Sequence, residues 1–316
     1  MSGLPAEVNI REVGPRDGFQ NEPEVIPTER KVQLIDALAQ TGLQCLEVTS
    51  FVRPDVIPQL ADAEQVLAAI DVPPEVSLSV LIPNERGLER ALALRQEHTG
   101  SRPAFDEVNV FLSASETHNR KNVNRSIEES LDGLEVVLGR AREEGLRCEA
   151  VISTAFGCPY EGHVAPERVL EIAQRLRDAG AQEIGFGDTT GMANPRQVQE
   201  LFGLWREGLG EVTLTAHFHN TRGQGLANVL AALQAGVRSF ESSFGELGGC
   251  PVPAGATGNI ASEDLVSMLH EMGIATGIDL DELLACSRRV QEVLGRPLGS
   301  HTLVAGPVKW QGEAER

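Results

Sequence analysis

Eight short runs rich in β-branched and apolar residues recur along the chain, at 8–13, 45–51, 76–82, 107–113, 147–154, 183–188, 212–219 and 238–244, with helical patterns between them. Alternation of this kind signals parallel βαβ units, since two parallel neighbours need a long crossover and a helix is the usual one. The stretch 28–38 shows the pattern: Val32, Leu34, Ile35 and Leu38 fall on one helical face, Thr28 stands where an N-cap is expected, and Gly42 closes the unit. Gly180 and Gly236 punctuate the chain in the same way ahead of the sixth and eighth strands.

Eight such units over roughly 250 residues predict a closed (β/α)8 barrel. We expect one catalytic domain over 1–316, with the barrel at about 8–257 and a helical extension at about 258–316, including helices at 262–272 and 280–294, capping the barrel mouth. A doubly wound open sheet also alternates strands and helices, but its dinucleotide fingerprint is missing. Gly185-Phe-Gly187 is followed by Asp188 and comes late in the chain, and no phosphate-binding P-loop is present.

The net charge of −19, from 46 acidic against 27 basic residues, argues against a nucleic-acid surface or an anionic-membrane binder. No apolar run is long enough to span a bilayer, and the N-terminal residues resemble neither a signal nor a transit peptide, so a cytoplasmic protein is expected. Five widely spaced cysteines without a Cys-x-x-Cys pair argue against a disulfide scaffold and a structural zinc site.

In a barrel of this kind the chemistry belongs to the C-terminal ends of the strands. His217 and His219 close the seventh strand, and the two-residue period of a strand points both imidazoles into one space, about 6.6 Å apart along the backbone. Asp17, on the first strand-end loop, can join them across the mouth. A carboxylate with two imidazoles suits Mg2+ or Mn2+ once a further oxygen is added, with Zn2+ as an alternative. Arg16 can clamp a carboxylate or stabilise an enolate. Glu47 sits inside an apolar strand and needs a partner such as Arg16, and Asp188 meets the same problem after strand six. Cys250 follows Gly248 and Gly249 in a loop able to fold over a substrate, where a tuned thiol can act as acid or base. Taken singly, each also has a plain structural reading: turn residue, barrel-interior carboxylate or buried loop cysteine.

Together these residues resemble the 3-hydroxy-3-methylglutaryl-CoA lyase family of metal-dependent lyase and acyltransferase barrels. The matching segments are Glu12-Val-Gly-Pro-Arg-Asp-Gly-Phe-Gln-Asn21, Glu47-Val-Thr-Ser-Phe-Val52, Gly157-Cys-Pro-Tyr-Glu-Gly162, Gly187-Asp-Thr189, the histidine pair, Leu247-Gly-Gly-Cys-Pro251 and Gly255-Ala-Thr-Gly-Asn-Ile-Ala-Ser-Glu-Asp-Leu265. The resemblance implies Asp17, His217, His219 and Asn259 as metal ligands, Arg16 as substrate binder and oxyanion stabiliser, Cys250 as catalytic thiol, and Glu47 and Asp188 as supporting acids. It implies a retro-Claisen cleavage of a 3-hydroxyacyl-CoA, giving acetyl-CoA and acetoacetate from the named substrate, and a homodimer, common in that family. Lys121 and Asn122, in the basic stretch Asn119–Arg125, match the family's Lys-Asn segment and are expected to bind coenzyme A.

Three positions depart from that pattern. Asn220 stands where Asp is common, Val151 where Tyr is common, and Gly185 where a hydroxyl-bearing residue is often found. They point to an acyl substrate with a larger or more apolar C3 substituent. Condensing synthases of the isopropylmalate or citramalate type share the barrel, the aspartate and the histidines, and are the alternative. A C-terminal regulatory domain is expected of them, and the Gly-Gly-Cys-Pro loop favours cleavage.

Overall fold

The computed structural model describes residues 3–249 and 258–310. Its eight strands are all parallel and close into a barrel in sequence order: β1 (Asn9–Glu12), β2 (Cys45–Ser50), β3 (Ser77–Leu81), β4 (Glu107–Ser113), β5 (Arg147–Ser153), β6 (Glu183–Asp188), β7 (Thr213–Phe218) and β8 (Ser239–Ser242), with β1 pairing to both β2 and β8. The crossovers are α1 (Thr28–Ala39), α2 (Ala63–Ala69), α3 (Glu85–Glu97), α4 (Glu116–Val123) with α5 (Ile127–Glu143), α6 (Pro166–Ala179), α7 (Pro195–Leu209) and α8 (Gly225–Gln234). The expected (β/α)8 barrel is the observed fold. No helix among the described residues is long and apolar enough to cross a membrane.

The apolar core lies between the barrel and its helices, because outward-facing strand positions meet the helical stripes. On the β5–β7 side the contact is aromatic: Phe186 stacks on Trp205 at 4.2 Å, and Phe156 touches Phe202, Trp205 and Phe218. Phe218 is thereby fixed outward, which fixes His217 inward.

The barrel interior is polar, unlike the branched apolar filling usual for this fold. Arg11 is buried at its N-terminal end and donates to Glu149 at 2.7 Å, to Glu183 at 3.2 Å, and to Glu107. Burial pushes the Glu149 carboxyl well above the carboxylate range against the pull of Arg11. One guanidinium thus holds three carboxylates from β4, β5 and β6 together.

Two local expectations are revised. Thr28 is not the N-cap of α1; Pro27 holds that position and the Thr28 hydroxyl instead donates to Asp62 at 2.7 Å. Beyond β8, α9 (Ser262–Glu271) takes the place of an outer helix, beginning at the mouth and ending beside β1, where the N–H of Val8 bonds Ala275 at 3.0 Å. The next helix, α10 (Leu280–Leu294), starts near Thr41 and packs on α1. After it, Gly299 donates to Gly245 at 3.0 Å and α11 (His301–Ala305) is capped by Ser300. The C-terminal helices therefore line the flank and buttress the β8 side of the mouth.

Removing Arg11 strands three buried carboxylates. Arg11→Met is expected to lower the unfolding free energy by about 3–5 kcal/mol, read as a shift in urea midpoint. A variant as stable as the parent would mean that the glutamates are neutral and need no counter-ion.

Candidate active site

The strand-end residues converge on a cavity of about 360 Å3 at the C-terminal mouth of the barrel, lined by Arg16, Asp17, Asn122, Val151, His217 and His219 among others. Two turns build it. The first, Gly14–Gly18, is a π-helical turn after β1 that carries Arg16 and Asp17. The second, Phe244–Glu246, follows β8 and leads into the glycines of the loop.

His217 and His219 share one side of β7, and their Nε2 atoms stand 3.1 Å apart with the ring centroids at 5.1 Å. Two ring nitrogens this close need either a shared proton or a shared cation. The Nδ1 of His217 is paired with Glu241 at 2.7 Å, which directs Nε2 at the common space. Burial disfavours the His217 imidazolium, but Glu241 and Asp17 outweigh it and raise the group above its ordinary value. Burial and the neighbouring His217 take His219 down to about 3, so it stays neutral with a lone pair to offer.

The ligating atoms of Asp17, His217 and His219 lie within 4.8 Å of one another. Asp17 accepts from Arg16 and Gln20 on one oxygen, both at 2.8 Å, and from Asn259 on the other at 2.7 Å. Burial alone would raise its carboxyl; Arg16, His217 and Asn259 prevail and hold it below the usual range. Asn259 is drawn in by backbone pairing with His219, and its amide also donates to the Leu247 carbonyl at 3.0 Å. Its Oδ1 is buried without a partner, as is Nδ1 of His219. Gly248 lies directly against this group, where a Cβ would sit 2.5 Å from the Asn259 amide nitrogen and 2.9 Å from Asp17.

Arg16 bonds Glu47 at 2.6 Å through Nε, so the partner expected for that buried strand glutamate is present. Burial pushes Glu47 up to about 7 even so. Around the imidazoles three carboxylates, Asp17, Glu47 and Glu241, face one guanidinium, Arg16. That surplus of acidic groups and the unpartnered Asn259 oxygen fit a divalent cation.

Other expected residues sit differently. Asp188 accepts from the backbone of Met192 at 2.7 Å and Ala193 at 3.0 Å, bracing the turn after β6, and burial takes it up to about 7 with Oδ2 unpartnered. Asn122 lines the cavity, whereas the Lys121 ammonium lies over the Tyr160 ring at 4.9 Å. Cys250 lies outside the described residues; Gly249, just before it, reaches the cavity.

Of the three departures, Val151 does line the cavity, and it leans over Gly185, where a Cβ would come within 2.9 Å of it. Asn220 points elsewhere, donating to Glu246 at 2.6 Å. Sequence reasoning missed Glu241. Its signal was a lone carboxylate in the short, fully buried strand Ser-Phe-Glu-Ser, in register with His217.

The chain matches the HMGL-like family model over residues 7–290. It is 45% identical over 299 residues to hydroxymethylglutaryl-CoA lyase YngG of Bacillus subtilis, covering 95% of this chain and 97% of that protein. Against the cytoplasmic 3-hydroxy-3-methylglutaryl-CoA lyase of Danio rerio it is 44% identical over 297 residues, with 94% and 86% covered. Among solved structures, the Bacillus subtilis HMG-CoA lyase superposes with a TM-score of 0.90 at 45% identity, covering 95% of this chain and 98% of that one. An Acinetobacter baumannii HMG-CoA lyase in complex with coenzyme A and 3-methylmalate also gives 0.90, at 38% identity, with 100% and 99% covered.

Glu246 has left-handed backbone, φ 64°, a conformation costly for a residue with a Cβ, and its bond to Asn220 braces the turn whose next carbonyl, Leu247, holds Asn259. Asn220→Asp sets two carboxylates against each other there. It is expected to weaken Mn2+ binding roughly 10- to 100-fold by calorimetric titration, with recovery in Asn220→Asp/Glu246→Gln. Unchanged affinity in the single variant would show that the brace does not reach Asn259.

Proposed function

The chain belongs to the HMGL-like family, and on that footing we propose that it is a carbon–carbon lyase that cleaves 3-hydroxy-3-methylglutaryl-CoA to acetyl-CoA and acetoacetate. The observation that carries this reading is the imidazole pair meeting Asp17 and Asn259 directly beside Arg16.

The family is divalent-metal dependent, and Asp17, His217, His219 and Asn259 would hold the ion. A cation there supplies Lewis acidity to the oxygens of the bound thioester. Mg2+ or Mn2+ is favoured over Zn2+ by the mixed set of oxygen and imidazole donors.

In the cleavage a basic side chain of the cavity takes the proton of the C3 hydroxyl and the C2–C3 bond breaks. C3 becomes the ketone of acetoacetate and the electron pair passes to the thioester enolate. Glu47 and Asp17 fix Arg16 through Nε and Nη1, leaving Nη2 without a bond among the described residues and able to stabilise the enolate oxygen. Glu241 keeps His217 oriented. Asp188 supports the site by holding the 192–193 backbone. Cys250, next to cavity-lining Gly249, is assigned as the acid that protonates C2 of the enolate. Four buried free thiols, Cys45, Cys148, Cys158 and Cys286, support a reducing compartment such as the cytosol.

With Mg2+ or Mn2+, the purified protein is expected to release acetyl-CoA and acetoacetate in equal amounts from 3-hydroxy-3-methylglutaryl-CoA, and to stop on chelation. Cys250→Ala should lower kcat by about 10²- to 10⁴-fold with Mn2+ affinity retained. Parallel losses in both would make the thiol structural, and no cleavage of the thioester by the metal-loaded protein would refute the lyase.

A further inference from the structure

The catalytic cavity has two unlike halves. His217, His219, Glu241, Arg16 and Asp17 stand on β7, on β8 and in the turn after β1, and they supply the only carboxylates and the only guanidinium that line it among the described residues. Across the barrel, β3, β4 and β5 present Leu81, Phe111 and Val151. Phe111 is in register with Val151, and Val151 in turn with Gly185 of β6, so the three form one row on the inner face. Leu81 stands beside that row, in register with Asn109, two residues before Phe111 on the same strand.

This wall is apolar in a barrel whose interior is otherwise polar. Phe111 is the one residue of β4 that is not fully buried, and Val151 is likewise half-buried, because both face the open cavity. Val151 is drawn back from that space. Its Cγ2 takes room that a side chain at 185 would need, since a Cβ on Gly185 would come within 2.9 Å of it. Glycine at 185 therefore sets the depth of the wall. Beneath it Asn109 donates its amide to Glu149 at 3.0 Å and keeps an unpartnered Oδ1. Leu81, Asn109, Phe111 and Val151 thus offer one acceptor and no free donor, which turns away carboxylate and carbonyl oxygens.

A thioester of this class carries a hydroxyl, a carboxylate arm and the thioester arm on a tetrahedral C3, and only the Arg16 side can answer their oxygens. The remaining substituent of C3 is then turned to the opposite wall. A methyl group covers little of a surface made by three large side chains, and each methylene added to it removes further apolar area from water. We propose that Leu81, Phe111 and Val151 form an alkyl pocket, and that the chain also cleaves 3-hydroxy-3-alkylglutaryl thioesters bearing ethyl, propyl or butyl in place of the C3 methyl. The bond changes are those of the methyl substrate. C3 becomes the ketone of the corresponding 3-oxo acid, and C2 keeps the electron pair until it is protonated to acetyl-CoA. The pocket rests on the lyase reading for its reaction, whereas the preference for an alkyl group rests on the wall itself.

Two measurements keep these apart. In turnover at fixed Mn2+, kcat/KM should hold or rise from the methyl to the propyl thioester. Gly185→Ala, which drives Val151 into the cavity, should lower the propyl-to-methyl ratio by roughly tenfold or more, and Phe111→Leu should raise the butyl-to-methyl ratio. A general folding defect would not move the two ratios in opposite directions. The second measurement needs no turnover: calorimetric titration of the Mn2+-loaded chain with the free 3-hydroxy-3-alkylglutarates should show affinity rising roughly two- to fourfold for each methylene up to propyl. Affinity and kcat/KM that fall from methyl to ethyl overturn the pocket while leaving cleavage of the methyl substrate standing. If no thioester is cut at all, the lyase reading fails and the acid series alone decides. Rising affinity that Gly185→Ala abolishes then upholds the pocket, and a flat series overturns it.

Discussion

Everything at the mouth of this barrel depends on two neutral-capable imidazoles being forced to face each other in a buried space. The period of a strand sends His217 and His219 to one side, and the aromatic packing of Phe218 prevents the alternative register. At 3.1 Å the two nitrogens must share either a proton or a cation, and Glu241 has already taken the other side of the first ring. The arrangement has a strong physical reason to hold a cation. Asp17, Asn259 and Gly248 are then read as parts fitted around that ion: one supplies charge, one an unpartnered oxygen, and one leaves room by having no side chain.

The wider barrel interior carries the electrostatic cost of this design. Its N-terminal end is organised by Arg11 among three glutamates, and its C-terminal end by Arg16 between Glu47 and Asp17. Each guanidinium is outnumbered by carboxylates. At both ends burial answers with a raised carboxyl, Glu149 below and Glu47 above, and at the upper end a divalent ion can add to that work and gain chemistry by it.

Much of this was legible in the sequence because strand period and barrel topology are short-range rules with long-range consequences. No strand boundary moved by more than two residues, and both ends of α10 fell where its periodicity placed them. His217, His219, Asp17 and the Arg16–Glu47 pair met as their strand-end positions implied. What was not legible depended on partners distant in sequence. Thr28 had a cap's identity but was recruited by Asp62; Asn220 was read as a pocket residue but was taken by Glu246; Glu241 needed the β7–β8 register to be recognised. The path of the C-terminal helices along the flank followed from contacts with α1 and β1 that no local pattern announces.

The central claim is that the buried imidazole pair is half of a divalent-metal site completed by Asp17 and Asn259. Equilibrium dialysis of the metal-stripped protein against Mn2+ tests it without reference to turnover. One tight site per chain in the native protein, lost in His219→Ala and weakened in Asn259→Ala, is the predicted result. Stoichiometric Mn2+ retained by His219→Ala with unchanged affinity would place the metal elsewhere and contradict the account.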